Sequence, residues 1–319
     1  MVHTLAAAVA PAPTSETVVQ AQGLLKKFGD IRALGPLTLD IPRGAVGLLG
    51  PNGAGKTTFI KTLLGLIPPT QGDARVLGLR VRQQSQDIRQ RVGYMPELEA
   101  QITQMSGLQY VAYAGELAGL PRRDAQQRAH EILDYVGLDE ERYRNVETYS
   151  TGMRQRAKLA QAIVHDPRLV FLDEPTNGLD PKGRDEMLTL IRDLAYKRGM
   201  AVILSSHLLP DVEFVCSWVV VLNKGQVAAS GGIEQLKRRD MARYTVRVKG
   251  DQAAFLERLA RAGCTHETDE EGVLHVGIPA GRDANLLLDA AIATRVQLRH
   301  FHPERSTLED VFMKTVGAE

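Results

Sequence analysis

The alternation of hydrophobic and polar positions changes period several times along the chain, and those changes mark out its elements. Residues 17–21 read as an edge strand, Phe28, Gly29 and Asp30 as a turn, and Leu37, Leu39 and Ile41 alternate with polar neighbours as in a half-buried strand. The run Ala45, Val46, Gly47, Leu48, Leu49 has no polar face and predicts a buried strand, with residues 59–64 continuing as a helix. Residues 68–78 are rich in Pro and Gly and predict a loop-rich connection. Helical spacing then dominates. Residues 87–91 form a short piece, residues 106–118 place Leu108, Val111, Ala112 and Leu117 near one face, and residues 124–136 turn Ala125, Ala129, Ile132, Leu133 and Val136 inward. Residues 155–164 add a further helix, so about residues 98–165 form a mainly helical block between sheet segments.

Strand patterns resume at residues 169–173 and 201–205, and Trp218 to Leu222 adds another short one. Residues 181–196 lie between the first two as a helix, with Pro181 suited to its first turn. This strand–helix–strand order implies parallel strands in a sheet with helices on its faces. Composition shifts at Lys237, Arg238, Arg239 and Asp240, which read as a charged linker. Beyond it, Tyr244, Val246 and Val248 alternate as a strand, Asp251 is placed to cap a helix, and Leu274, Val276 and Ile278 alternate again. A helix at 286–293, a strand at 296–299 and a capping box formed by Ser306 and Glu309 complete a small α+β domain. The pattern thus divides the chain into a flexible arm (residues 1–16), a main α/β domain (17–237) and a C-terminal accessory domain (241–319).

Three stretches carry chemistry. Gly50-Pro51-Asn52-Gly53-Ala54-Gly55-Lys56-Thr57-Thr58 fits G-x-x-x-x-G-K-[ST], between a buried strand and a helix. Glycines let backbone N–H groups curl round phosphates, and the helix N-terminus adds partial positive charge. Lys56 is placed for the β- and γ-phosphates and the Thr57 hydroxyl for Mg²⁺; an ordinary glycine turn is the plainer alternative. The second stretch is the apolar strand 169–172 ending in Asp173 and Glu174, where paired acids ask for a cation or a reaction. Asp173 is placed to hold Mg²⁺ and Glu174 to orient or deprotonate a water. The third is Ser150-Thr151-Gly152 at the start of a helix, where Ser150 is a natural N-cap and the Gly152 N–H a second anion donor.

Composition narrows the classes. The 319 residues are 44% hydrophobic and 24% charged with a net charge of +1, a globular balance that gives no reason to expect nucleic acid. Cys216 and Cys264 fit no metal, redox or disulfide spacing, and Cys216 reads as core in a reducing compartment. No run approaches the roughly 20 apolar residues of a membrane span. The apolar N-terminus lacks a basic flank and a long core, so it reads as an arm rather than a signal peptide.

Taken in order, the phosphate loop, helical insertion, Ser-x-Gly turn, acidic strand end and later histidine resemble the ATP-binding cassette (ABC) ATPases over residues 18–236. Tyr149-Ser150-Thr151-Gly152-Met153 is similar to their signature motif, which more often reads Leu, Ser, Gly, Gly, Gln. Asn177-Gly178-Leu179-Asp180 resembles the D-loop, His207 stands where the switch histidine belongs, and Phe28 matches the aromatic that stacks on adenine. Tyr94-Met95-Pro96-Glu97 occupies the Q-loop with Glu97 in place of Gln; a carboxylate can approach Mg²⁺ but cannot donate a hydrogen bond. The resemblance implies an α/β fold of the P-loop NTPase (RecA-like) kind, with a core sheet, an antiparallel β edge region and an inserted helical subdomain.

It further implies ATP and Mg²⁺ bound between two such domains arranged head to tail, as a homodimer or with a close homologue. Glu174, His207 and Lys56 would be catalytic, Ser150, Gly152 and Asp180 would bind nucleotide, and Ser150 would act across the dimer. A separate transmembrane permease would hold the protein at the cytoplasmic face of the membrane, its coupling helix received by the helical insertion and the Glu97 loop. The motifs are similar to the drug-export branch, whose C-terminal extension the tail at residues 307–312 resembles. That tail is either a dimerisation or regulatory element or a passive stabilising lobe. The alternative is a soluble cassette ATPase acting on DNA or ribosomes. One phosphate loop and no sustained heptads count against it, and intact Lys56, Asp173, Glu174 and His207 count against a purely regulatory module.

Overall fold

The computed structural model of the chain describes residues 16–98, 104–239, 242–269, 272–279, 282–304, 308–309 and 312. The expected arm, apart from Glu16, residues 99–103 of the helical block and Ser306 of the expected capping box lie outside the described residues. The chain folds as two units, Met1–Ile233 and Glu234–Glu319.

The first unit opens with the hairpin β1 (Thr17–Phe28) and β2 (Ile31–Pro42), then β3 (Ala45–Leu49), α1 (Lys56–Leu63), β4 (Gln71–Val76), β5 (Leu79–Arg80), α2 (Ser85–Arg91) and β6 (Val92–Met95). The helical block follows as α3 (Gly107–Leu117), α4 (Arg122–Tyr135), two 3₁₀ turns and α5 (Thr151–Ile163). The chain returns through β7 (Leu169–Asp173), α6 (Pro181–Tyr196), β8 (Ala201–Ser206), α7 (Leu209–Val215), β9 (Trp218–Asn223) and β10 (Gln226–Gly232), and α8 (Ile233–Arg239) begins at the boundary and continues into the second unit.

Six strands make the core sheet in the order β10-β9-β3-β8-β7-β6. All neighbours from β9 to β6 are parallel, and only β10 pairs antiparallel. Parallel strands covered on both faces need apolar residues throughout, which is why β3 and β8 are buried at every position. A second sheet, β2-β1-β4-β5, is antiparallel and packs its Val19, Leu24, Leu34 and Val76 with Phe59, Ile60 and Leu63 of α1 over Leu48, Phe171 and Ile203 of the core sheet. Each of these large side chains stabilises the fold by about 1.5–3 kcal/mol through burial. The loops after β3, β7 and β8, three adjacent strands, therefore emerge at one carboxyl edge, where open α/β sheets hold their ligands.

Three expectations are corrected. Residues 68–78 are not loop throughout: they contain β4, whose Ala74 and Val76 are buried and whose Gly72, at φ +74°, passes against the backbone of Gly23. Because β4 pairs on the far side of β1, the first strand is internal rather than an edge. The charged residues Lys237 to Arg239 end helix α8 instead of forming a linker.

The second unit contains β11 (Ala242–Lys249), α9 (Gln252–Arg261), β12 (Thr265–Thr268), β13 (Leu274–Ile278), α10 (Asn285–Thr294) and β14 (Gln297–Glu304). Its antiparallel sheet runs β12-β13-β11-β14, over a core of Val246, Phe255, Leu259, Leu274, Val276 and Leu287. Asp251 caps α9 by accepting from the Ala254 N–H at 3.0 Å.

Candidate active site

The loop between β3 and α1 is shaped by what surrounds it. Gly55 has φ +102°, and a Cβ there would sit 2.7 Å from the Ala33 carbonyl oxygen; one at Gly50 would collide with the Leu222 carbonyl. Inside the loop, Ala54 N–H donates to Pro51 O at 3.1 Å, and Gly225 N–H donates to Ala54 O at 3.1 Å. Asn52 and Gly53 form the exposed tip, while Thr58 is half-buried in the first turn of α1. Gly55 is the N-cap and supplies no side-chain cap, and the first turn holds no acid, so the helix end keeps its donors and its positive field for an anion.

The acids at the end of β7 face this loop. Thr57 Oγ1 donates to Asp173 Oδ2 at 2.8 Å, while the other oxygen, Oδ1, is buried with no hydrogen-bond partner. Glu174 follows at φ +50°, a left-handed conformation that costs a residue with a Cβ about 1 kcal/mol or more. That turn is held by Glu174 N–H donating to Ser205 O at 3.0 Å and Asn177 N–H donating to Glu174 O at 3.1 Å. Its carboxylate, 7% exposed, lies between Lys56 Nζ at 3.6 Å and His207 Nδ1 at 2.9 Å. Lys56 also donates to Gly50 O at 2.8 Å. A loop, a strand end and the segment after β8 thus bring Lys56, Thr57, Asp173, Glu174 and His207 into one contiguous cluster.

An orphaned carboxylate oxygen beside a threonine hydroxyl fits a hard cation that takes oxygen ligands, such as Mg²⁺. Among the described residues no group of three or more His, Cys, Asp or Glu could hold a metal alone.

The other expected residues gather elsewhere. Ser150 Oγ caps α5 by accepting from Met153 N–H at 3.3 Å, and Ser150 itself is exposed. From α5, Gln155 Nε2 donates to Asn177 O at 3.1 Å, tying the signature turn to the D-loop, where Asp180 caps α6 by accepting from Gly183 N–H at 3.1 Å. Gly152 lies beside Leu179 of the same loop. Glu97 is exposed, and its carbonyl accepts from the buried Lys158 of α5 at 2.9 Å. Phe28 ends β1 with its ring 48% exposed and Lys26 Nζ 4.7 Å from the ring centre.

Sequence reasoning missed Asp211. Fully buried in α7, it accepts from Thr176 Oγ1 at 2.7 Å and from Arg184 Nε at 2.6 Å. Thr176 stands two residues after Glu174 and Asp211 four after His207, so the Thr176–Asp211 hydrogen bond ties the segments carrying both, and the Arg184 ion pair balances the buried acid. The readable signal was an acid directly after Pro210, the pattern of a helix start.

A phosphate-cradling loop at a helix N-terminus, beside a buried Asp–Glu pair on a nearby parallel strand, defines a P-loop nucleoside triphosphatase. Residues 34–177 match the ABC transporter family, and residues 231–316 match the C-terminal domain of DrrA1-3-like ATP-binding proteins. Over 276 residues the chain is 37% identical to the uncharacterized ABC transporter ATP-binding protein YxlF of Bacillus subtilis (strain 168), covering 86% of this chain and 90% of that protein. Over 306 residues it is 34% identical to the daunorubicin/doxorubicin resistance ATP-binding protein DrrA of Streptomyces peucetius, covering 94% and 92%. A solved ATP-binding subunit of an ABC transporter superposes with a TM-score of 0.63 at 27% identity, over 70% of this chain and 93% of that one.

The chain belongs to the family of ABC transporter ATP-binding proteins. It is an ATP-binding and ATP-hydrolysing transporter subunit, of a family whose members pair and work with transmembrane subunits, and not a soluble cassette acting on DNA or ribosomes. No helix among the described residues is long and apolar enough to cross a membrane.

Proposed function

We propose that two copies of this chain, or this chain and a close homologue, enclose ATP head to tail and drive export through a separate transmembrane permease. The observation that carries the catalytic reading is Glu174, buried and held between Lys56 and His207. Backbone N–H groups of residues 50–58 and Lys56 bind the β- and γ-phosphates, and Phe28 offers its exposed ring to adenine. Thr57 and Asp173 would hold Mg²⁺, with Glu97 of the Q-loop near it, and the ion would supply positive charge to the phosphates. Glu174 orients the attacking water and takes its proton. His207, whose side chain is 47% exposed, bridges that buried carboxylate to the γ-phosphate. Ser150 and Gly152 of the second subunit close the site, with Asp180 beside them at the dimer interface. The rate comes from positioning and electrostatics.

Export of a drug-like molecule is supported by the likeness to a daunorubicin/doxorubicin resistance protein and by the DrrA1-3-like C-terminal match. The net charge of +1 gives no footing for nucleic acid as a partner. The protein accordingly works in the cytoplasm, held on the membrane through its permease. Purification of the native protein in mild detergent tests this: a multi-span subunit is expected to accompany it. Recovery as a soluble species on ribosomes or DNA would refute the transport reading.

A further inference from the structure

Four tyrosine hydroxyls on buried or half-buried rings find partners. Tyr110 Oη donates to Gln161 Oε1 at 3.3 Å, Tyr135 to Leu190 O at 3.4 Å, Tyr149 to Glu141 O at 2.7 Å and Tyr196 to Val215 O at 2.9 Å. Tyr94 differs: its Oη is shielded from solvent and has no hydrogen-bond partner among the described residues. A buried hydroxyl left unpaired costs about 1–3 kcal/mol, which phenylalanine in the same place would avoid.

The sheet register says where that hydroxyl lies. Tyr94 of β6 pairs with Phe171 of β7, and Asp173, two residues further along β7, pairs with Ser205 of β8. Paired residues share a face and so do residues two apart in a strand, so Tyr94, Asp173 and Ser205 all point to one side of the sheet. It is the side of α1, where Tyr94 packs against the core that Phe59 and Phe171 share. Asp173 and Ser205 are fully buried, and Asp173 Oδ1 and Ser205 Oγ are likewise without a hydrogen-bond partner. Burial, and then the Asp173 and Glu97 carboxylates, push the Tyr94 phenol above its ordinary pKa, so it keeps its proton and is a donor. Two hydroxyl groups and one carboxylate oxygen, none with a hydrogen-bond partner among the described residues, thus lie on the one face of the sheet where Thr57 already holds the other Asp173 oxygen.

We propose that Tyr94, assisted by Ser205, is a positioning residue of the magnesium site, donating its hydroxyl proton to a water shared with Asp173 Oδ1. With Thr57 on Oδ2, this fixes the plane of the Asp173 carboxylate and presents it to the ion in one orientation. Tyr94 touches neither nucleotide nor metal. The proposal rests on the reading of Asp173 as a magnesium-holding residue.

The test titrates Mg²⁺ into the full-length protein with a fluorescent ADP analogue, comparing wild type, Tyr94→Phe, Ser205→Ala and Asp173→Asn. Tyr94→Phe is expected to melt no lower than wild type and to bind the analogue equally well without Mg²⁺. The Mg²⁺ concentration for half-maximal effect should rise about 10-fold, as when an outer hydrogen bond to a metal ligand is lost. Ser205→Ala should give a smaller rise. A Mg²⁺ titration of Tyr94→Phe that overlays wild type, while Asp173→Asn loses its Mg²⁺ response, overturns the proposal and leaves the magnesium site standing. An unchanged response in Asp173→Asn overturns both.

Discussion

Two helices in this chain begin at positions suited to an anion, and they begin differently. Helix α1 starts at Gly55 with no side-chain cap, and Lys56, Thr57, Asp173, Glu174 and His207 converge beside it. Helix α5 starts at Ser150, whose hydroxyl already caps Met153 N–H; Ser150 and Thr151 are exposed, and Gln155 ties the turn to the D-loop. Both first turns lack acidic residues, so both ends favour negative charge. Only α1 has the acids that metal binding and water activation need. One chain therefore carries one set of reactive groups and two phosphate-seeking helix ends, the second of which faces outward. The composite site we propose accounts for that inequality: the phosphate bound at α1 of one subunit would be closed over by α5 of another.

The largest effect should come from removing chemistry at α1 without removing binding. Glu174→Gln is expected to lower turnover by about 10²- to 10⁴-fold, the range of a general base, with nucleotide affinity retained. Single-turnover hydrolysis beside an equilibrium binding curve measures both, and near-normal hydrolysis would remove Glu174 from its role. Next, Lys56→Ala should weaken ATP binding by about 10- to 100-fold, the worth of a charge-assisted hydrogen bond. Unaltered affinity, read by calorimetry, would break the assignment of α1 as the phosphate end.

Ser150→Asp then separates capping from anion contact. Aspartate caps as well as serine, so stability should change by no more than a few tenths of a kcal/mol, read in urea. Its negative charge, however, stands where the partner's γ-phosphate must come, so turnover should fall while the affinity of the monomer for ATP stays as it was. A loss of stability matching the loss of turnover would reduce the turn to a structural cap.

The smallest effect belongs to the anchored end of α5. His165, just past that helix, has its ring nitrogen 3.1 Å from Val92 O, and burial holds its pKa below the ordinary 6.5. A histidine kept neutral by folding contributes fully above pH 6.5, and that contribution is lost as pH falls and the unfolded chain takes up the proton. His165→Gln should flatten the fall in melting temperature on the acid side of pH 6.5, leaving the signature turn and nucleotide binding untouched.

What was readable in the sequence was local. The phosphate loop, the Pro181 helix and the Asp251 cap depend on neighbours a few residues away, and the structure places all three as the pattern expects. Strand β4 was hidden because its Pro- and Gly-rich surroundings read as loop, whereas its pairing partner lies some fifty residues upstream in β1. The same pairing turned β1 from edge to interior. Asp211 was legible only as an acid at a helix start; its buried ion pair, like the unpaired hydroxyl of Tyr94, exists only once register and burial are set. Ser150 was legible as a cap beside an anion site from its residue type and helix start, and its reading as a nucleotide-binding residue acting across a dimer came only through family resemblance.

The central claim, that α5 of one subunit completes the site at α1 of another, is tested most directly by molar mass. Glu174→Gln, measured by light scattering with saturating ATP and Mg²⁺, is predicted to shift from monomer to dimer, and adding Ser150→Asp to return it to monomer with ATP still bound. A Glu174→Gln protein that stays monomeric when saturated, or a dimer indifferent to Ser150→Asp, would contradict the composite site.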